Sequence, residues 1–107
     1  MNLSTTETIP GHTVVASHGL VRGNTIRARH LGRDISAALR SIVGGEISDY
    51  TKMMGEAREQ ALDRMLEEAC SVGANAVIGV RFSTSYVMQS AAEILVYGTA
   101  VTIESDN

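Results

Sequence analysis

The sequence predicts a two-layer α+β domain in which an antiparallel sheet carries two helices on one face. Three consecutive observations predict it: a segment with helical periodicity at residues 48–72, a stop signal at Gly73, and an apolar strand pattern that begins at Ala76. The expected order along the chain is β-β-α-α-β-β. A length of 107 residues fits one domain, residues 1–107, and leaves no room for two.

Two strands are expected before the first helix. The Thr-rich segment 3–9 can form a short strand, which the turn pair Pro10-Gly11 ends. Residues 12–22 follow a strand pattern, with Gly19 as a bulge or a point of close approach. Gly23-Asn24 predicts a turn after this strand, although the three residues that follow it could prolong the extended backbone.

A short amphipathic helix is expected next, ended by Gly44-Gly45, because glycine accepts the left-handed backbone beyond a helix C-terminus. Its apolar residues recur at the helical spacing i, i+4, i+7, i+8 and i+11. They are Leu31, Ile35, Ala38, Leu39 and Ile42.

The longer helix is expected to begin at Ser48, a good N-cap, with Asp49 in its first turn, where the helix dipole favours a carboxylate. One stripe of this helix is apolar and should be buried, and its three alanines should let the helix lie close to the sheet. The stripe consists of Met54, Ala57, Ala61, Leu62, Met65, Ala69 and Val72.

The last third of the chain predicts two strands, at residues 76–82 and 92–103, joined by a polar connection over residues 83–90. Apolar and polar residues should alternate along a strand when one face of its sheet is solvated. In the final strand, neither the even-numbered nor the odd-numbered residues are clearly polar. We therefore expect the second face of the sheet to pack on another copy of the chain. The alternative is that the N-terminal segment folds over that face.

Composition narrows the classes of function. The formal net charge is −3 and no dense Lys/Arg cluster occurs, so nucleic-acid binding is not predicted. A membrane partner is not predicted either. No apolar run approaches the ~20 residues that cross a bilayer, and the N-terminus lacks the pattern of a signal peptide. A single cysteine fits a reducing compartment, and a cytoplasmic location is expected.

Metal ligation has weak candidates in His12, His18, His30 and Cys70. They form no metal-binding motif, so surface histidines and a packed cysteine are the favoured interpretation within one chain. A ring of symmetry-related histidines could still build a site between chains. No organic cofactor is predicted, and a divalent metal is left open.

Arg22, Arg81 and Glu93 are charged residues within otherwise apolar strands. They could form an ion pair at an interface, bind a small anion or mark strand ends. The interface is favoured, because a buried charge needs a partner. No catalytic residue is predicted, since no nucleophile is paired with a base.

The chain resembles the YbjQ-like family, also described as a "putative heavy-metal-binding domain". The resemblance covers nearly the whole chain and includes the motifs at residues 5–11, 19–24, 73–80 and 97–101. It implies a dodecin-like subunit fold, assembled into a homopentameric ring. The leading hypothesis is a self-assembling, non-enzymatic protein whose ring can hold a small ligand. Metal binding at subunit interfaces is the alternative, and an enzyme is the third class.

Overall fold

The computed structural model describes residues 1–28, 45–88 and 91–107. The first predicted helix therefore lies outside the described residues. The described elements, in chain order, are β1 (Asn2–Leu3), β2 (His12–Ala28), α1 (Gly45–Ser71), β3 (Ala76–Met88) and β4 (Ala91–Ser105). They form an α+β fold in which α1 packs on a four-stranded sheet.

The sheet has the strand order β1-β3-β4-β2. The long strands pair antiparallel, β2 with β4 and β3 with β4, as predicted. β1 pairs parallel with β3, so the sheet is mixed and the prediction of a purely antiparallel sheet is wrong at this edge. The reason is the connection over residues 4–11, which crosses the sheet from one edge to the other, so that β1 and β2 run in the same direction.

Two predicted breaks in the strands are absent. β2 runs through Gly23-Asn24 instead of turning there, because these residues pair with Val96 and Leu95 of β4. Likewise, β3 continues to Met88 through the segment predicted as a polar connection, since it stays paired with β4 along this stretch. Pairing with a neighbouring strand has overridden the local turn and polarity signals.

Gly23 is required for a different reason from the one predicted. A Cβ atom on this residue would overlap the carbonyl oxygen of Ala61 and lie 2.5 Å from the backbone nitrogen of Met65. The absence of a side chain lets α1 approach β2 closely. Gly23 is therefore a contact between helix and sheet and not a turn residue.

The core lies between α1 and one face of the sheet. Ala57, Ala61, Met65 and Ala69 are fully buried, as the predicted stripe requires, and they pack against residues such as Ile94. Met54 and Leu62 are partly buried against the same core. Val72 follows the last residue of α1 and is exposed, so its predicted burial is wrong.

The predicted stop signal after α1 is confirmed. Gly73 has a positive φ of 84°, and its amide donates to the Cys70 carbonyl at 3.1 Å. Asn75 then leads into β3, because its side-chain amide exchanges hydrogen bonds of 2.7 and 3.0 Å with the backbone of Ile103 in β4. Within the described ranges, no helix carries an apolar stretch sufficient to cross a bilayer.

We call the sheet face opposite α1 the outer face. At one end the N-terminal segment covers it, and Ile9 packs there with Ile78 against the buried residues Ala76, Val101 and Ile103. The alternative in which the N-terminal segment folds over this face therefore holds for this end. Farther along, Leu20 is 66% exposed and Ile26 is 59% exposed.

Candidate functional site: a groove on the outer face

A groove of about 740 Å³ opens where the N-terminal segment meets the outer face. One wall comes from the segment between β1 and β2 together with the start of β2, and the other comes from β3 and β4. The groove combines charged groups, hydroxyls and aliphatic side chains. Its lining residues are Glu7, Thr8, Ile9, His12, Thr13, Val14, Ile78, Gly79, Arg81 and Thr99.

A bulge in β3 places Arg81 at this groove. Ile78 pairs with Thr99 and Arg81 pairs with Tyr97, so β3 has one more residue than β4 between these two pairs. Gly79 lies within the bulge and has a φ of 63°, which favours glycine. In a regular strand, Ile78 and Arg81 would lie on opposite faces; the extra residue puts both on the outer face.

Arg81 joins the two walls of the groove. Its Nη1 atom donates to the Thr5 carbonyl at 2.6 Å and to the Val80 carbonyl at 2.8 Å. The first bond reaches from β3 to the N-terminal segment. Both acceptors are neutral backbone groups, and the Arg81 side chain is exposed. The guanidinium therefore anchors the segment while keeping further donors for a ligand.

The wall formed by the N-terminal segment is also held by backbone bonds. The Gly79 amide donates to the Thr6 carbonyl at 2.9 Å, and the His12 amide donates to the Ile9 carbonyl at 3.1 Å. At the far end, the Asp106 amide donates to the Gly11 carbonyl at 3.0 Å. These contacts fix the wall at both ends and in the middle.

His12 presents one ring nitrogen for a further contact. Its Nδ1 atom lies 3.1 Å from the Pro10 carbonyl oxygen, which can only accept, so Nδ1 is the donor. The Nε2 atom is the ring position left to meet a ligand. Among the predicted metal candidates that the structure describes, His12 lines the groove, where Glu7 supplies a carboxylate.

The structure separates the other metal candidates from His12. The Nε2 atom of His18 lies 2.7 Å from Thr102 Oγ1. Thr102 belongs to the face of β4 that is turned toward α1, because it has the same parity as the buried Ile94. Cys70 is exposed on α1, so the interpretation of this residue as a packed cysteine is wrong. His30 lies outside the described residues. In the part of the chain that the structure describes, no three His, Cys, Asp or Glu side chains cluster as a metal site would require.

The three predicted interface charges are brought together only in part. Arg22 and Arg81 are the direct cross-strand partners of Tyr97, one on each side of it. Their Cα atoms are thus two strand spacings apart, about 10 Å. Glu93 lies four residues from Tyr97 along β4, about 14 Å away, and accepts a hydrogen bond of 3.2 Å from Asn24.

Several residues of this region were not predicted as site residues. Glu7 and Ile9 lie in a segment whose crossing of the sheet has no local sequence signal. Tyr97 and Thr99 have a weak signal, since they share one parity of a strand that shows no solvated face. Recognising them requires knowledge of which parity faces away from α1.

Comparison with known sequences decides the family. The sequence profile of the YbjQ_1 family, described as "Putative heavy-metal-binding", matches residues 1–104. The chain belongs to this family. Membership confirms the resemblance inferred from the motifs, and the YbjQ_1 profile spans β1, β2, α1, β3 and nearly all of β4.

Relatives of the chain occur in bacteria and archaea. A UPF0145 protein of Dehalococcoides mccartyi is 59% identical over 104 residues, which cover 97% of this chain and 100% of the relative. A UPF0145 protein of Thermus thermophilus is 58% identical over 102 residues, covering 95% and 90%. One from Methanosarcina acetivorans is 56% identical over 103 residues, covering 96% and 97%.

A solved structure shares the fold. It is the crystal structure of a protein of unknown function from Pediococcus pentosaceus, assigned to the DUF74 family, with a TM-score of 0.67 and 17% sequence identity. The match covers 97% of this chain and 98% of that chain. At this identity the likeness shows the α+β architecture alone.

Proposed function

We propose that the protein is a non-enzymatic, self-assembling subunit that forms a homo-oligomeric ring and holds a small ligand at the groove. The number of subunits, five, follows from the family resemblance. The observation that carries the proposal is the outer face beyond the N-terminal segment, where apolar side chains have no cover from the described residues.

These side chains form a patch, which we define as Leu20, Ile26, Leu95 and Tyr97. All four share the outer face, because each belongs to a cross-strand pair on the same side of β2 and β4. Leu20, Ile26 and Tyr97 are 66%, 59% and 37% exposed, and Leu95 is half-buried. Apolar side chains exposed on one face of a sheet, here with Arg22 and Asn24 between Leu20 and Ile26, are typical of an interaction site.

The edges of the sheet supply a second argument for assembly. β2 is an edge strand of 17 residues and carries neither Lys nor Pro, the residues that commonly protect an edge. At the opposite side, the N-terminal segment bonds to β3 as far as Val80, and residues 81–88 have no further described strand beside them. Two edges on opposite sides, both without a described neighbour, favour head-to-tail pairing of copies, which closes into a ring when the rotation permits.

Size-exclusion chromatography with light scattering tests this proposal. The chain has a mass of 11.4 kDa, so a pentamer has a mass of about 57 kDa, and the assembly should persist at micromolar concentration. A single species with the mass of one chain would contradict it. A uniform species with another subunit number would keep the assembly and overturn the number five.

Metal binding at a subunit contact is the second candidate function. It is favoured by the family description and by one observation, the presence of His12 and Glu7 in the same groove. Imidazole and carboxylate are both ligands of divalent metals, and another copy would have to supply the remaining ligands. Titration with zinc, copper and nickel tests it, with His12→Ala as the variant. If no metal binds more tightly than ~10 μM or raises the melting temperature, this candidate is rejected.

A further inference from the structure

We propose that the groove binds a zwitterion with an apolar body, such as an apolar or aromatic α-amino acid. Arg81 would bind the ligand carboxylate and Glu7 its ammonium group. The aliphatic side chains of Ile9, Val14 and Ile78 would contact its apolar body. This inference rests on the proposed small-ligand role and names the class of ligand.

The positive group of the groove suits a carboxylate. Arg81 uses Nη1 for the Thr5 and Val80 carbonyls, which leaves Nη2 and Nε, two of the positions from which a guanidinium binds a carboxylate. Among its hydrogen-bond partners in the described ranges there is no carboxylate, so its charge is not neutralised by direct contact. A ligand carboxylate would form charge-assisted bonds there.

The negative group makes a simple anion a poor complement. Glu7 lines the same groove, and the Gly79–Thr6 backbone bond of 2.9 Å holds the neighbouring residue of the segment beside the bulge that carries Arg81. A monocarboxylate would satisfy Arg81 and meet the like charge of Glu7. A ligand with both a carboxylate and an ammonium group satisfies both side chains, since opposite charges across a contact favour binding and like charges oppose it.

The remaining lining accounts for the apolar body. Ile9 and Ile78 are half-buried against the small cluster of Ala76, Val101 and Ile103, which supports them from below, and Val14 is 40% exposed. A hydrocarbon or aromatic group placed over them would remove apolar surface from water. The groove volume of about 740 Å³ falls within the range of small-molecule sites.

The groove is built before any ligand arrives. Arg81, Gly79 and Asp106 anchor the N-terminal wall through bonds of 2.6, 2.9 and 3.0 Å to Thr5, Thr6 and Gly11. Little backbone ordering is therefore required on binding, which favours affinity for a ligand of few atoms.

Three matched probes test the proposal: phenylalanine, 3-phenylpropionate, which lacks the ammonium group, and 2-phenylethylamine, which lacks the carboxylate. Saturation-transfer NMR and calorimetry should show phenylalanine binding at least about fivefold more tightly than either analogue. The proposal is overturned if either analogue binds as tightly as phenylalanine, or if none of the probes binds saturably.

Two charge variants assign the roles. Glu7→Gln should weaken phenylalanine binding at least about fivefold without weakening 3-phenylpropionate, whereas Arg81→Gln should weaken both. Because Arg81 also anchors the wall, Arg81→Lys provides a second variant that keeps the charge and should recover part of the binding. Arg58→Gln and Glu56→Gln, on the exposed side of α1, are the matched controls and should change nothing.

Light scattering on the same samples separates this inference from the proposed assembly. A single chain that binds phenylalanine would overturn the ring and keep the groove. An oligomer that binds none of the probes would overturn the ligand class and keep the ring. Equal loss of binding in Glu56→Gln and Glu7→Gln would show that the effect of Glu7 is not local, and would also overturn the inference.

Discussion

Arg81 in β3 and Tyr97 in β4 are direct cross-strand partners because β3 gains one residue between Ile78 and Arg81. The same bulge puts Arg81 on the outer face, beside the groove and within reach of Thr5. Much of the candidate site therefore depends on one irregularity of one strand.

Replacement of Gly79 by alanine tests that dependence. Its φ of 63° is a conformation that an L-residue adopts at a cost, so Gly79→Ala should lower the free energy of unfolding by about 1–2 kcal/mol. Gly55→Ala is the control, because Gly55 lies inside α1 and an added Cβ would meet no atom nearer than 3.8 Å. Urea denaturation should show the control to be unchanged or more stable by up to about 1 kcal/mol.

Gly23→Ala should be far more damaging. The added methyl group would collide with backbone atoms of Ala61 and Met65, which cannot move without shifting α1, and a loss of about 3 kcal/mol or more is expected. Ser17→Ala, on an exposed position of the same strand, should stay within about 0.5 kcal/mol of the parent. Equal stability of the two variants in urea denaturation would refute the close helix–sheet contact.

These two glycines also show what the sequence could and could not predict. The body of the helix, its end at Gly73 and its alanine stripe were predictable, because they depend on local spacing. Its start was predicted wrongly, since the helix begins at Gly45, before the predicted N-cap Ser48. The role of Gly23 was not predictable, since Gly-Asn is a turn signal unless a helix passes over it. The bulge at Gly79 also has no local sequence signal, because an apolar strand with one glycine looks regular until its register against β4 is known.

The parallel pairing of β1 and the site that results from it depend on contacts distant in sequence. No local pattern predicts that residues 4–11 cross the outer face, so Glu7 and Ile9 could not be placed beside Arg81. Similarly, His12 and His18 share a parity in the sequence, but the irregularity between Val14 and Ala16 reverses the alternation of β2. His18 itself lies within the second irregularity, between Ser17 and Gly19. Arg22, Arg81 and Glu93 were predicted as one group, but only Arg22 and Arg81 are aligned across the strands, each as a partner of Tyr97.

Removal of the Arg81 side chain should loosen the N-terminal segment. Arg81→Gln loses the bond to Thr5, so limited proteolysis should cut residues 4–11 faster, with a loss of stability of about 1 kcal/mol. Arg58→Gln, exposed on α1, should leave the cleavage pattern unchanged. Protection of the segment in both variants would show that the anchor is not needed.

A charge placed in the outer patch should weaken the proposed assembly. Ile26→Lys would put an ammonium group opposite Glu93, its cross-strand partner, and a second copy would have to bury this ion pair. The dissociation constant of the assembly should therefore rise at least about tenfold. Val72→Lys is the control, since Val72 is also an exposed aliphatic residue but lies at the end of α1. Light scattering on a dilution series measures both; an unchanged mass for Ile26→Lys would remove the patch from the interface.

The central claim is that copies of the chain assemble head-to-tail through the edges of the sheet. Amide hydrogen exchange along β2 tests this claim most directly. In an antiparallel pair, alternate amides of a strand point toward its partner, so every second amide of β2 points away from β4. If a neighbouring copy pairs with this edge, both sets of amides should exchange slowly. Rapid exchange of the set that points away from β4, in a folded sample at the concentration used for light scattering, would contradict assembly through the edge of the sheet.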